Sequence, residues 1–66
     1  MTIKVRDLIR RLEQAGWVLV RQGPGSHRQF RSPSGHFVIT VSGKPGDDMP
    51  VGTLKDILRK SGIKLD

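Results

Sequence analysis

The stretch that decides the fold is WVLVRQGPGSHRQFRSPSGHFVITVS, residues 17–42. It predicts three strands, at 17–22, 27–32 and 36–42. The first and third are rich in β-branched and aromatic residues, and Gly- and Pro-containing turns separate all three. Because the connections are too short for a parallel crossover, the strands are expected to form an antiparallel meander.

Alternation along each strand predicts which side chains face the core, since successive residues point to opposite faces. Phe30, the only large apolar residue of the second strand, is expected to face inward, together with Arg28. The opposite parity then points outward: His27, Gln29 and Arg31. In the third strand the residues expected to share one face are Phe37, Ile39 and Val41.

Amphipathic helices are predicted on both sides of the strands. Residues 4–15 place apolar side chains on one face at helical spacing: Val5, Leu8, Ile9, Leu12 and Ala15. Thr2 is a candidate cap for this helix, and Gly16 is expected to end it. A second helix is expected to begin at Pro50, near Asp47 or Asp48, and to end at Gly62. Its apolar stripe consists of Val51, Leu54, Ile57 and Leu58.

The order helix, three strands, helix predicts an α+β fold. Both helices must bury their apolar stripes on one face of the antiparallel sheet, because nothing else is available to cover them. The other face of the sheet is then open to solvent, as antiparallel sheets permit. With 66 residues the chain is expected to form a single domain, 1–66.

Composition narrows the class of protein. The chain has no cysteine, which excludes a disulfide framework, a thiolate metal site and a cysteine nucleophile. The absence of cysteine also fits a reducing, cytoplasmic location. The longest apolar run, Trp17–Val20, is too short for a transmembrane helix, and no membrane contact is expected.

Charge is distributed unevenly along the chain. Lysine and arginine number 12 against 6 acids, a net charge of +6. No acid lies between Glu13 and Asp47, a segment that contains four cations and both histidines: Arg21, Arg28, Arg31, Lys44, His27 and His36. Such a surface attracts a polyanion, most commonly nucleic acid. Two alternatives explain the same excess of positive charge: the surface binds an acidic protein, or the charge only keeps the protein soluble.

His27 is the candidate catalytic residue. It directly follows a glycine-rich turn and precedes Arg28. RNA cleavage at neutral pH needs a group that takes and gives a proton, and histidine has an unperturbed pKa of about 6.5. An adjacent arginine holds phosphate and offsets transition-state charge, while Gly25 and Ser26 let the backbone approach it. The competing interpretation is a histidine that only begins a strand and hydrogen-bonds the turn.

Other chemistries have less support in the sequence. His36 is a candidate second acid or base, although a histidine in a turn is more often simply exposed. Two histidines without cysteines do not form a recognisable ligand set, so no metal and no other cofactor is expected. Ser26 and His27 point to opposite faces and do not form a nucleophile–base pair. Trp17 is expected in the core rather than as a base-stacking residue.

Three blocks of the sequence resemble the HicA toxins. Residues 5–13, followed by Ala15-Gly16-Trp17, resemble the opening helix of that family. The triplet Gly25-Ser26-His27 resembles its glycine-serine-histidine motif. Gly52-Thr53-Leu54, Ile57-Leu58 and Gly62-Ile63 resemble its closing helix, so that the likeness covers about residues 4–63.

The resemblance implies a toxin of a type II toxin–antitoxin pair, with a fold like that of a double-stranded-RNA-binding domain. It implies a ribosome-independent mRNA interferase, an RNA endonuclease, in which the histidine at position 27 is the general acid or base. The implied partners are mRNA and a HicB antitoxin that covers the toxin and blocks its site. With Gly25 and Ser26 shaping the site, the residues expected to bind phosphate are Arg28, Arg31, Lys44 and Arg21.

The sequence also departs from the family pattern. Many members carry a second histidine in a proline-x-histidine-glycine stretch after the third strand, whereas residues 41–46 read VSGKPG. Either that histidine is dispensable or Lys44 replaces part of its charge. Two other functions stay open at this point: a non-catalytic RNA-binding module of the same fold, and an adaptor whose basic face binds only an acidic protein.

Overall fold

The structure, a computed structural model, describes residues 3–64. Its elements are α1 (Val5–Gln14), β1 (Val18–Gln22), β2 (Arg28–Arg31), β3 (Val38–Val41) and α2 (Val51–Ser61). The strands form one antiparallel sheet in the order β1-β2-β3. The predicted α+β class and element order are confirmed, and the observed elements are shorter by one or two residues at their ends. Thr2, the candidate cap of α1, lies outside the described residues.

Both helices pack on one face of the sheet. The register sets Phe30 opposite Ile39 and Arg28 opposite Val41, so these side chains share the face turned toward the helices. The buried residues that form the core come from every layer: Val5, Leu8, Leu12, Trp17, Phe30, Ile39, Val41, Met49, Leu54 and Ile57. The prediction that Trp17 belongs to the core is confirmed. Among the described residues, no helix has the length and apolar character needed to cross a bilayer.

Three residues predicted on buried faces are instead exposed: Phe37, Val51 and Ala15. Phe37 is 65% exposed and Val51 is 53% exposed. Each of the three lies at or just beyond the end of its element, where the opposing layer no longer covers the face. Helical and strand periodicity therefore predicted the side of the element correctly but not where the cover ends.

The loop of residues 43–49 is fixed against the start of α1. The N–H of Val5 donates to the carbonyl of Asp47 at 2.9 Å, and the N–H of Arg6 donates to that of Pro45 at 3.1 Å. A surface ion pair joins Lys4 to Asp48 at 2.7 Å. Helix α2 begins at Val51, one residue later than predicted, and no side chain caps its start.

Gly16 ends α1, as predicted, in a left-handed conformation with φ of 95°. A Cβ at this position would lie 2.9 Å from Cγ of Pro33. We therefore expect Gly16→Ala to lower the free energy of unfolding by about 2 kcal/mol, from backbone strain and steric overlap together. Urea titration followed by circular dichroism measures this loss.

Gly46→Ala is the matched control for that substitution. Gly46 has no positive φ, and a Cβ there would meet nothing within 4 Å. Its replacement should change stability by less than about 0.5 kcal/mol. Equal losses in the two variants would contradict the steric account of Gly16.

Candidate active site

His27 lies immediately before β2, at the end of the sheet where Arg28 pairs with Gln22 and Val41. The N–H of Gly23 donates to the carbonyl oxygen of His27 at 2.8 Å, which closes the loop between β1 and β2. This bond uses the backbone of His27, and the residue is exposed. The imidazole is thus presented to solvent by a loop that its own main chain fixes.

The glycine-rich loop gives His27 an accessible backbone on one side. Gly25 adopts a left-handed conformation with φ of 72°, and a Cβ there would meet no atom within 4 Å. Glycine adopts this conformation without the penalty that a side chain carries. Ser26 is half-buried beside it. The loop therefore leaves open space at Gly25, two residues before the histidine.

Arg28 differs from the other cations because it lies on the helix-facing side of the sheet. It is half-buried, in register with the buried Val41. Its Nη1 is buried and has no hydrogen-bond partner among the described residues. Buried donors in proteins are nearly always satisfied, so this one gains stability from any hydrogen bond to a water or ligand oxygen.

The opposite, open face of the sheet carries two further cations. Arg21 lies opposite Gln29, and Arg31 lies between Val18 and Val38 in a cross-strand row. Both arginines are exposed, and neither forms an ion pair within residues 3–64. This arrangement confirms the predicted outward parity of Arg31 and leaves an uncompensated positive face.

Lys44 is exposed in the loop that follows β3. Asp47 holds this part of the chain, since its Oδ2 accepts the backbone N–H of Lys44 at 3.2 Å and its N–H donates to the Lys44 carbonyl at 2.9 Å. Sequence reasoning missed this role of Asp47, although an aspartate next to a Pro-Gly turn, here Pro45-Gly46, is a common local acceptor. The ammonium of Lys44 forms no ion pair within the described part of the chain.

The fold brings some of the predicted site residues together and separates others. The consecutive residues 25–28 form the end of the β1–β2 loop and the first residue of β2. Lys44 follows β3, whose last residue, Val41, pairs with Arg28. Arg31 lies at the other end of β2, roughly 13 Å from His27 at the usual rise of a strand. Arg21 lies opposite Gln29, at a position along the strands between those of His27 and Arg31.

His36 is not near His27. It lies in the turn between β2 and β3, at the opposite end of the sheet, where its N–H contacts Oγ of Ser34 at 3.4 Å. His36 lies beyond the level of Arg31, so the two histidines are separated by at least roughly 13 Å along β2. The geometry therefore does not support a two-histidine acid–base pair.

One electrostatic feature lies outside this end of the sheet. On α2, hydrogen bonds from Lys60 and Arg59 lower the pKa of the Asp56 carboxyl below its usual value. Within residues 3–64, no group of three or more histidine, aspartate or glutamate side chains is arranged to hold a metal ion.

These features define a small, basic α+β protein with an exposed histidine on a glycine-rich loop at one end of a three-stranded sheet. The family model described as "HicA toxin of bacterial toxin-antitoxin" matches residues 5–63. The chain therefore belongs to the HicA toxin family, which implies an antitoxin partner. Comparisons with curated proteins and with solved structures returned no match.

Proposed function

We propose that this chain is an RNA endonuclease, a ribosome-independent mRNA interferase that acts in the cytoplasm and is neutralised by a HicB-type antitoxin. The observation that carries the proposal is the exposed His27 on its backbone-fixed loop, with Arg28 next in sequence and open space at Gly25. These groups supply a proton-transfer residue, a phosphate ligand and room for a phosphate, and family membership is consistent with them.

In the proposed reaction the RNA provides its own nucleophile. The 2′-oxygen attacks the adjacent phosphorus, the bond from phosphorus to the 5′-oxygen breaks, and a 2′,3′-cyclic phosphate forms. The imidazole of His27 transfers the proton at the 2′-hydroxyl or at the leaving 5′-oxygen, and water completes the second transfer. The separation of His36 from this end of the sheet is the reason for assigning one histidine to the chemistry.

Arg28 is proposed to bind the scissile phosphate. Its Nη1 has no acceptor among the described residues, so moving the guanidinium toward an incoming phosphate sacrifices no hydrogen bond at that atom. The charge-assisted bond that forms is stronger than a neutral one and offsets charge in the transition state. Gly25 and Ser26 shape the loop that receives this phosphate.

The remaining cations are proposed to hold the RNA on either side of the cleaved bond. Lys44 lies at the same end of the sheet as His27, while Arg21 and Arg31 continue along the open face. Flanking phosphates lie several ångströms apart, so cations spread over roughly 13 Å suit a strand of a few nucleotides.

The test of this function is incubation of the purified chain with a long RNA in EDTA. Shortened products that accumulate with time support the endonuclease. Binding that shifts the RNA in a gel without any product would instead assign the chain to non-catalytic RNA-binding modules of this fold.

The contribution of Arg21 and Arg31 is measurable as a salt dependence. On a His27→Ala background, substituting both by alanine should reduce the slope of log affinity against log salt by about 1.4, at roughly 0.7 for each phosphate contact to a single strand. Filter binding at several salt concentrations gives this slope.

The double variant Arg59→Ala/Lys60→Ala is the matched control, because it removes two positive charges elsewhere on the molecule. Arg59 and Lys60 already pair with Asp56 on α2, at 2.8 and 3.0 Å, away from the open face. Their removal should leave the slope nearly unchanged. An equal decrease in this control variant would show that general charge, rather than the open face, determines RNA affinity.

A further inference from the structure

The open face of the sheet continues from the middle strand to His27 without a break. The N–H of Gly23 donates to the carbonyl of His27 at 2.8 Å. This bond extends the β1–β2 ladder by one position beyond the pair of Gln22 and Arg28. Because successive side chains alternate between the two faces, His27 shares the open face with Gln29, whose Cα lies roughly 7 Å further along the strand.

Gly23 leaves one side of the imidazole uncovered. A Cβ at Gly23 would lie 3.7 Å from Cβ of His27, an ordinary van der Waals contact, and Gly23 has no positive φ. Neither the backbone conformation nor a steric overlap therefore requires glycine at this position. A larger side chain would lie against the histidine, whereas the glycine leaves room on the β1 side for a flat group.

Gln29 presents a free amide on the same face. It is half-buried between its two partners in the register, Arg21 on β1 and Thr40 on β3. Within residues 3–64, no hydrogen bond joins its side chain to another group of the protein. The amide therefore keeps its N–H donors and its carbonyl acceptor available to a ligand.

We propose that Gly23, His27 and Gln29 form a base subsite, which binds one adenine of the RNA next to the cleaved bond. The base lies over Gly23 against the imidazole, while the Gln29 amide donates to N7 and accepts from the N6 amino group. On this edge guanine presents two acceptors, cytosine only a donor and uracil only an acceptor, so adenine alone matches both functions of the amide. The inference rests on the proposed function only for the position of the cleaved bond.

The contribution of the base subsite is separable from that of the phosphate contacts. Phosphate contacts position a nucleic acid and depend on salt, whereas contacts to base edges determine the sequence that is bound. Because the Gln29 amide is uncharged, Gln29→Ala should change the preference for a base and leave the slope of log affinity against log salt unchanged.

The experiment compares two oligonucleotides that differ at N7 alone. Hexamers of 2′-deoxyadenosine and of 7-deaza-2′-deoxyadenosine lack the 2′-hydroxyl, so the unsubstituted chain binds them without cleaving them. Fluorescence anisotropy should give about fivefold tighter binding of the adenine hexamer, the effect of one hydrogen bond. Gln29→Ala removes the amide and Gly23→Val fills the space beside the imidazole, so each variant should bind the two hexamers equally.

Two variants outside the base subsite are the matched controls. Gln14→Ala removes an exposed amide from the end of α1. Gly52→Val adds the same side chain to α2, at a position without a positive φ where a Cβ would meet nothing within 4 Å. Both should keep the fivefold preference, and circular dichroism verifies the fold of all four variants.

Three results would overturn the proposal. They are equal affinity of the unsubstituted chain for the two hexamers, no binding of either hexamer at low salt, and a preference that survives Gln29→Ala or a folded Gly23→Val. Mapping of the cleavage sites in a long RNA should place adenine at one fixed position beside the cut bond, and Gln29→Ala should abolish this preference.

Failure of the base subsite is distinguishable from failure of the nuclease. Cleavage by the unsubstituted chain without a fixed adenine would overturn the base subsite and leave the nuclease assignment intact. A preference for the adenine hexamer without cleavage of any RNA would support the base subsite and contradict the nuclease.

Discussion

Replacing His27 by alanine should reduce RNA cleavage by a factor of about 10² to 10⁴, the typical contribution of a proton-transfer group to the rate. His27 is exposed and its ring is not the group that closes the loop, so folding and RNA affinity should be retained. The measurement is the initial rate of product formation from a long RNA, with circular dichroism to verify the fold.

His36→Ala is the matched control, since it removes the same side chain from the opposite end of the sheet. It should cleave RNA within about twofold of the parent, because the two histidines are separated by at least roughly 13 Å along β2. Comparable loss of activity in both variants would contradict the single-histidine mechanism. Full activity in the His27 variant would remove the catalytic assignment altogether.

Phe30→Ala should be the most destabilising of the core substitutions. Phe30 is only 1% exposed and occupies the middle strand, opposite Leu19 on β1 and Ile39 on β3. Removing a buried phenyl ring costs about 3–5 kcal/mol. A chain this small has a stability of about 5 kcal/mol or less, so the variant should be largely unfolded at 37 °C. Thermal and urea melts followed by circular dichroism detect this.

The other phenylalanine provides the control. Phe37 is 65% exposed, and its alanine variant should differ from the parent by less than about 0.5 kcal/mol. If the two variants lost the same stability, the burial that places Phe30 in the core and Phe37 outside it would be wrong.

The sequence predicts the fold well where periodicity and burial coincide. The spacing of Val5, Leu8 and Leu12 identifies the buried face of α1, and the turn residues identify a meander of three strands. Gly16 and Gly62, with φ of 95° and 73°, end the two helices as predicted. In these segments local preference and tertiary packing favour the same structure, which is why they are predictable.

Prediction fails where burial depends on what lies opposite. Phe37 has the strand parity of Ile39 but lies before β3 begins, so no helix covers it. The run Val18–Val20 forms the predicted strand β1, but all three residues are exposed, and a bulge between Leu19 and Arg21 shifts the register with β2. Neither the bulge nor the burial of Met49 has a signal in the local sequence pattern.

For the candidate site, the sequence gives residue types and neighbours but not relative positions. Gly25 to Arg28 are consecutive, so their proximity follows from the chain itself. The placement of Lys44 near this end depends on β3 pairing with β2 and on the contacts of Asp47 with the loop. The distance between His27 and His36 likewise required the length of β2 and the register of the hairpin.

The 2′-hydroxyl of the RNA tests the central claim most directly. The purified chain, in EDTA, is incubated with a long RNA and with the same sequence carrying 2′-O-methyl groups throughout, and product ends are analysed by mass spectrometry. The account predicts cleavage of the unmodified RNA only, with 2′,3′-cyclic phosphate and 5′-hydroxyl ends that are absent with His27→Ala. Cleavage of both substrates, or products with 5′-phosphate ends, would contradict it.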